Sequence, residues 1–176
     1  MNDPTRAGGY GTMTDPTTLR IERLLPGPIE RVWAHLTDGD LRRRWLAAGD
    51  MHAAGDSVEL VWRNDELTDP PGERPEGFGS ENRMQSRITA FDAPRRLGFT
   101  WGRHGSVLFE LTEQGDAVLL VLTHSGIPDR SVLMSVGPGW HAHLDVLSSV
   151  LGGTQPQPFW DAVARLKADY AQRFPG

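Results

Sequence analysis

The chain has no cysteine. That excludes disulfides, thiolate metal sites and a cysteine nucleophile, and it makes a reducing, cytoplasmic setting the expectation. It also lacks any apolar run near the roughly 20 residues of a membrane-spanning helix. The opening MNDPTRAGGY has no apolar stretch of the kind a secretory signal needs. No GxSxG, HExxH, P-loop or GxGxxG pattern occurs. Gly8-Gly9-Tyr10-Gly11 precedes any strand, so it fails the context that a phosphate loop requires. Neither sign of charge dominates. With 18 basic and 23 acidic residues, net −5, nucleic acid and anionic membrane are not expected partners.

What is present fits one soluble domain of 176 residues. Six tryptophans are more than such a core needs, which suggests an aromatic-lined interior. Residues 1–17, small and polar, read as a disordered leader, and 18–176 as a single domain. Thr18–Leu25 alternates as a strand and ends at Pro26-Gly27-Pro28. Pro28 suits the first position of a helix carrying Ile29, Val32, Trp33 and Leu36 on one face. Asp38 can cap a second short helix reaching about Trp45. Arg42-Arg43-Arg44 reads as surface decoration of that helix.

Ser57–Arg63 alternates again, with Val58, Leu60 and Trp62 inward. Asn64–Ser80 is a long loop rich in Pro, Gly and acid. Arg83–Ser125 then reads as a four-strand antiparallel meander with one large apolar face. Met84, Ile88 and Ala90 belong to that face. So do Leu97, Phe99 and Trp101, then Val107, Phe109 and Leu111, then Val118, Leu120, Leu122 and His124. Gly137-Pro138-Gly139 predicts a break before a helix Trp140–Leu151, striped by Trp140, Leu144, Leu147 and Leu151 with His143 flanking. Residues 151–176 read as a linker plus a further helix, Pro158–Phe174, with Phe159, Val163, Leu166, Tyr170 and Phe174 along one side. The fold class is α+β: a strongly curved antiparallel sheet of about six strands wrapped around a C-terminal helix.

These pieces resemble the START-like (SRPBCC) helix-grip superfamily, in the branch named for the activator of the heat-shock protein 90 ATPase. The resemblance is carried by Pro26-Gly27-Pro28 with Glu30, Val32-Trp33 and Leu36-Thr37-Asp38, and by Leu41 through Trp45. It continues in Ile88 through Trp101 with Pro94-Arg95-Arg96-Leu97 at the bend, Val107 through Leu111, Thr123-His124-Ser125-Gly126 and Gly139-Trp140. It covers about residues 18–151. It implies a sheet gripping a helix with a cavity between, and functions ranging over apolar ligand binding, polyketide cyclisation and chaperone or stress co-regulation. The long 64–80 loop, the extra C-terminal helix and the leader depart from the pattern.

The predicted reading is a binding protein for a small hydrophobic or aromatic ligand, lying between the sheet and the long helix. The expected lining is Trp45, Leu60, Trp62, Met84, Phe99, Trp101, Phe109, Leu122, His124, Trp140, His143, Leu144 and Leu147, with His124 or His143 supplying polarity. No catalytic residue, metal or cofactor is assigned. His141 and His143 stand two apart on a helix and cannot both ligate one ion, so His141 is read as solvated. Arg83, Arg87 and Arg103 are read as solvated charge rather than as carboxylate binders. Two alternatives stay open: a cyclase or aromatase-type enzyme, and a protein-interaction module. Dimerisation through the extra helix or an edge strand is also open.

Overall fold

The computed structural model describes residues 9–103 and 105–176. Seven strands form one antiparallel sheet: β1 Thr12–Asp15, β2 Thr18–Pro26, β3 Ser57–Trp62, β4 Asn82–Asp92, β5 Arg96–Trp101, β6 Gly105–Gln114 and β7 Ala117–Ser125. Their order is β1-β2-β7-β6-β5-β4-β3. Among the described residues there are also four α-helices, α1 Ile29–Thr37, α2 Gly39–Arg42, α3 Arg130–Gly152 and α4 Phe159–Arg173, and a 3-10 turn at Asn64–Glu66. The curved sheet grips α3, which is the helix-grip arrangement. No helix among the described residues is long and apolar enough to cross a membrane.

Several expectations need correcting. The segment read as a disordered leader contains β1, which pairs Thr12 with Arg20 and Met13 with Leu19. Its order comes from partners rather than from its own apolar content. Asp15 Oδ1 accepts from Thr17 N at 2.8 Å to close the turn, and Gly11 N donates to the Tyr170 hydroxyl at 2.8 Å. Residues 1–8 lie outside the described residues. In β4 the register slips between Ile88 and Ala90. This bulge turns Phe91, not Ala90, to the face shared by its partner Leu97. The Phe91 ring then lies 5.3 Å from that of Trp33.

The first two helices begin near where their signals stand. Pro28 is the N-cap of α1, and the Asp38 carboxylate caps α2 by accepting from Asp40 N and Leu41 N. Arg42 is not surface decoration, being only 1% exposed. Its guanidinium donates to Leu36 O at 2.8 Å and to Gly49 O, stapling α1 and α2 to the loop that follows. Burial pushes its pKa down to about 10, opposed by Asp50 and Asp38, so it stays protonated at neutral pH.

The predicted break at Gly137-Pro138-Gly139 is absent. α3 runs unbroken for 23 residues, capped by Asp129 at Val132 N and ended by Gly153 at φ 68°. Pro138 removes one backbone bond, but tertiary packing holds the turn in place. A Cβ on Gly137 would lie 3.1 Å from the Tyr170 ring, so glycine lets α4 approach the α3 backbone at this point. α4 buries Phe159, Val163, Leu166 and Tyr170, as its periodicity predicts.

Candidate functional site

The candidate site is a cleft of about 420 Å³ at one end of the grip. Ser135, Val136, Gly139, Trp140 and His143 of α3 form one wall, at the helical spacing that puts them on one face. Trp62 of β3, Asn82, Arg83 and Met84 of β4, and Trp101 of β5 form another. Leu46, and Asn64 and Phe78 of the 64–80 loop, complete the lining. Three indoles line up across it. The rings of Trp62 and Trp101 are 5.4 Å apart at 72°, and those of Trp101 and Trp140 are 5.1 Å apart at 50°. Edge-on and tilted packing of this kind favours the aromatic quadrupoles.

Behind them lies His124. Its Nδ1 accepts from Trp140 Nε1 at 2.9 Å, which fixes the tilt of the Trp140 ring. Burial pushes the imidazole pKa down to about 4, so it is neutral at pH 7 with its proton on Nε2. His143 is neutral for the same cause, at about 4, against the opposing pull of its bond to Trp45. Its Nδ1 donates to Trp45 O at 2.8 Å, which leaves Nε2 as an acceptor. The Phe159 ring backs it at 4.8 Å. Asn64 Oδ1 is enclosed and has no partner among the described residues. Arg83 is already engaged by Glu59 at 2.6 Å and Glu81 at 2.9 Å. The cleft is therefore an apolar slot with neutral hydrogen-bonding groups on its wall.

Of the expected lining, the structure brings Trp62, Met84, Trp101, Trp140 and His143 to the cleft. It puts Leu60, Phe99, Phe109, Leu122, Leu144, Leu147 and Trp45 in close-packed core, each at most 1% exposed. Trp45 fills the space where a central gap was expected. Its Nε1 donates to His35 O and its ring meets Phe109 at 6.2 Å. Phe109 in turn meets Trp140 at 5.8 Å. These contacts seal the helix against the sheet along their middle, and the cleft lies at the end.

The residues that sequence reasoning missed are Leu46, Asn64, Phe78, Asn82, Ser135, Val136 and Gly139, together with Arg83, which was read as solvated charge. The length of the 64–80 loop was a signal for two of them. Continuing the Trp140 stripe backwards would have reached Val136, had Pro138 not been read as a break.

His141 is not solvated but 3% exposed. It faces away from the cleft, 3.1 Å from the Tyr170 hydroxyl and 3.4 Å from Asp145. The Tyr10 ring covers it at 4.7 Å. Burial, reinforced by Arg23, Arg165 and Arg173, pushes its pKa down to about 3. The α4 helix and the N-terminal segment cover this face of α3, which is why a helical wheel of α3 alone misplaced it. Among the described residues, no three His, Cys, Asp or Glu side chains converge as metal ligands would.

The geometry can be set beside known proteins. A family described as Activator of Hsp90 ATPase homolog 1-like protein matches residues 26–152. A protein of Bordetella parapertussis, solved by NMR, is 42% identical with a TM-score of 0.79, over 94% of this chain and 91% of its own. CalU16 of Micromonospora echinospora is 24% identical with a TM-score of 0.64, over 88% of this chain and 86% of its own. DynU16, encoded in the dynemicin biosynthetic locus, is 20% identical with a TM-score of 0.63, over 81% of this chain and 49% of its own. For these last two the likeness is one of fold. No curated protein matches the chain.

Proposed function

The chain belongs to the Activator of Hsp90 ATPase homolog 1-like family, and on that premise we propose that it binds a small, uncharged aromatic molecule in the cleft at the end of the grip. The observation that carries the reading is the row of Trp62, Trp101 and Trp140 on the wall of a cleft of about 420 Å³. That volume lies within the roughly 300–1,000 Å³ of small-molecule sites. Flat rings suit a slot walled by indoles. His143 Nε2 is an acceptor for a ligand hydroxyl or amide, because Nδ1 is committed to Trp45 O. The Glu59 and Glu81 carboxylates hold Arg83, so a ligand carboxylate would have to compete for it. A cytoplasmic location belongs to the same proposal, in keeping with the cysteine-free sequence.

One observation favours a second reading, a cyclase-type enzyme: His143 combines a free Nε2 with a place on the cleft wall. At a pKa of about 4 it is a weak base, which suits orienting a hydroxyl better than removing its proton.

Titration with the neutral naphthalene dye prodan tests the binding reading. The expected result is a blue shift of dye emission with quenching of protein tryptophan. Trp101→Ala should weaken binding by about tenfold or more, from the lost ring contact and buried area. An unshifted dye, or a Trp101→Ala protein that binds as well as the parent, would overturn it.

A further inference from the structure

His124 stands behind the lining of the cleft, yet two of the three indoles on the wall lean on it. β7 lies between β2 and β6. His124 is in register with Leu19 on one side and Val107 on the other, so its backbone is held from both edges. Its imidazole is buried under α3, where Trp140 Nε1 donates to its Nδ1 at 2.9 Å. The Trp101 ring meets the imidazole edge-on at 5.4 Å and 64°. On the far side a Cβ on Gly105 would lie 3.3 Å from His124 Nε2, so glycine leaves the imidazole its room.

Among the described residues, two side-chain bonds tie α3 to the sheet. One joins Arg23 to Asp145, whose carboxylate is only half-buried. The other joins Trp140 to His124, and both of its partners are buried. An enclosed indole N–H that loses its acceptor is strongly disfavoured. Its ring would turn until the N–H met water, and the side of Trp140 open to water is the cleft. A ring turned that way occupies the room that a flat ligand needs.

We propose that His124 is a positioning residue for the cleft: its Nδ1 parks the Trp140 indole on the wall, with Trp101 stacked against both rings, and so keeps the slot open. The proposal rests on the cleft being the binding site, as argued above, and adds what sets its shape. Affinity scales with the fraction of molecules in which the ring is parked. Losing the acceptor should lower that fraction by about tenfold, the factor that goes with orphaning a buried donor.

His124→Leu removes the acceptor at similar bulk, and His124→Met serves if that variant does not fold. His124→Asn keeps an acceptor, because its amide oxygen stands two bonds from Cβ, as Nδ1 does. The chain's six tryptophans give six indole N–H signals in a nitrogen–proton correlation spectrum, and Trp140→Phe identifies the one that belongs to Trp140. Without any ligand, that proton should exchange with water slowly in the parent and in His124→Asn. In His124→Leu it should exchange about tenfold faster or more. His124→Leu should bind prodan about tenfold more weakly than the parent, and His124→Asn should recover most of the loss. Combined with Trp140→Phe, which has no N–H to hold, His124→Leu should change the affinity by less than about twofold.

A Trp140 proton as protected in His124→Leu as in the parent would overturn the proposal. Equal weakening by His124→Leu with and without Trp140→Phe would overturn it too, because His124 would then act only as core volume. So would a His124→Asn protein that binds no better than His124→Leu. Failure of prodan to bind the parent counts against the binding reading, whereas the indole proton judges the hold on Trp140 without any ligand.

Discussion

The two ends of α4 each hold a stretch of non-helical chain against the body, by opposite means. At the C-terminal end the contacts are enclosed. The Tyr170 hydroxyl accepts from Gly11 N at 2.8 Å and meets His141 Nδ1 at 3.1 Å. Tyr170 itself is fully buried, which pushes its pKa up to about 12. Around it, Tyr10 donates to Asp169 at 2.7 Å and Arg23 donates to Gly9 O at 2.6 Å. At the N-terminal end Phe159 N donates to the buried Thr68 hydroxyl, but Asp65, which accepts from the Trp160 indole, is only half-buried, and Phe78 beside that ring is exposed. A buried polar atom that loses its partner costs about 1–3 kcal/mol. An exposed one exchanges its partner for water and loses far less. The same helix therefore locks one segment and only restrains the other.

Acid should have the largest effect, acting on the locked end through His141 and on the grip through His124 and His143. His124, His141 and His143 are held at about 4, 3 and 4, below the ordinary 6.5. Below about pH 6.5 the unfolded chain takes up protons that the folded chain refuses, so stability falls as pH drops from 6.5 toward 4. It is unaffected by these groups above pH 7. The slope is up to about 1.4 kcal/mol per pH unit for each histidine. Urea unfolding at stepped pH measures it, and a flat profile from pH 7 to 4 would contradict the enclosure of these rings.

Tyr170→Ala should remove about 3–5 kcal/mol, the range for a buried aromatic. In hydrogen exchange, the amides of residues 9–15 should lose protection while the 64–80 loop keeps its own. Equal loss at both would erase the contrast. Tyr170→Phe keeps the ring and orphans Gly11 N and His141 Nδ1, for about 1–3 kcal/mol in urea unfolding. The smallest effect belongs to Lys167→Ala. Loss of a half-buried cation over the exposed Phe78 ring should cost about 0.5–1 kcal/mol, with no change at the Tyr170 end. A larger loss in thermal unfolding would mean that the outer end is more firmly fixed than its exposure implies.

Much of the fold was legible because it follows from local periodicity. Alternation marked β2, β3 and the four meander strands, and Asp38 announced its cap. What was illegible depends on partners distant in sequence. β1 is ordered by Tyr170, some 159 positions away from Gly11. Gly137 and Pro138 read as a break until Tyr170 is seen to rest on Gly137. The bulge at Ile88–Ala90 changes which residue faces inward without altering the composition of the strand. For the site, the aromatics were legible and the position was not. Bulky rings predict an unfilled centre only if nothing else enters, and Trp45 does. Trp45 was expected on the wall of that gap; that its ring fills the gap from the loop after α2 is a tertiary fact no strand pattern contains.

Gly139 stands on the cleft wall, and a Cβ built there meets nothing within 4 Å. The position sits inside α3, where alanine is favoured over glycine by roughly 1 kcal/mol. Side chains can therefore be added at this one point to shorten the slot by steps of a single carbon, with the scaffold gaining rather than losing helix propensity at the first step. Descendants of this sequence, natural or engineered, hold in that residue a means of resizing what they accommodate without rebuilding the protein around it.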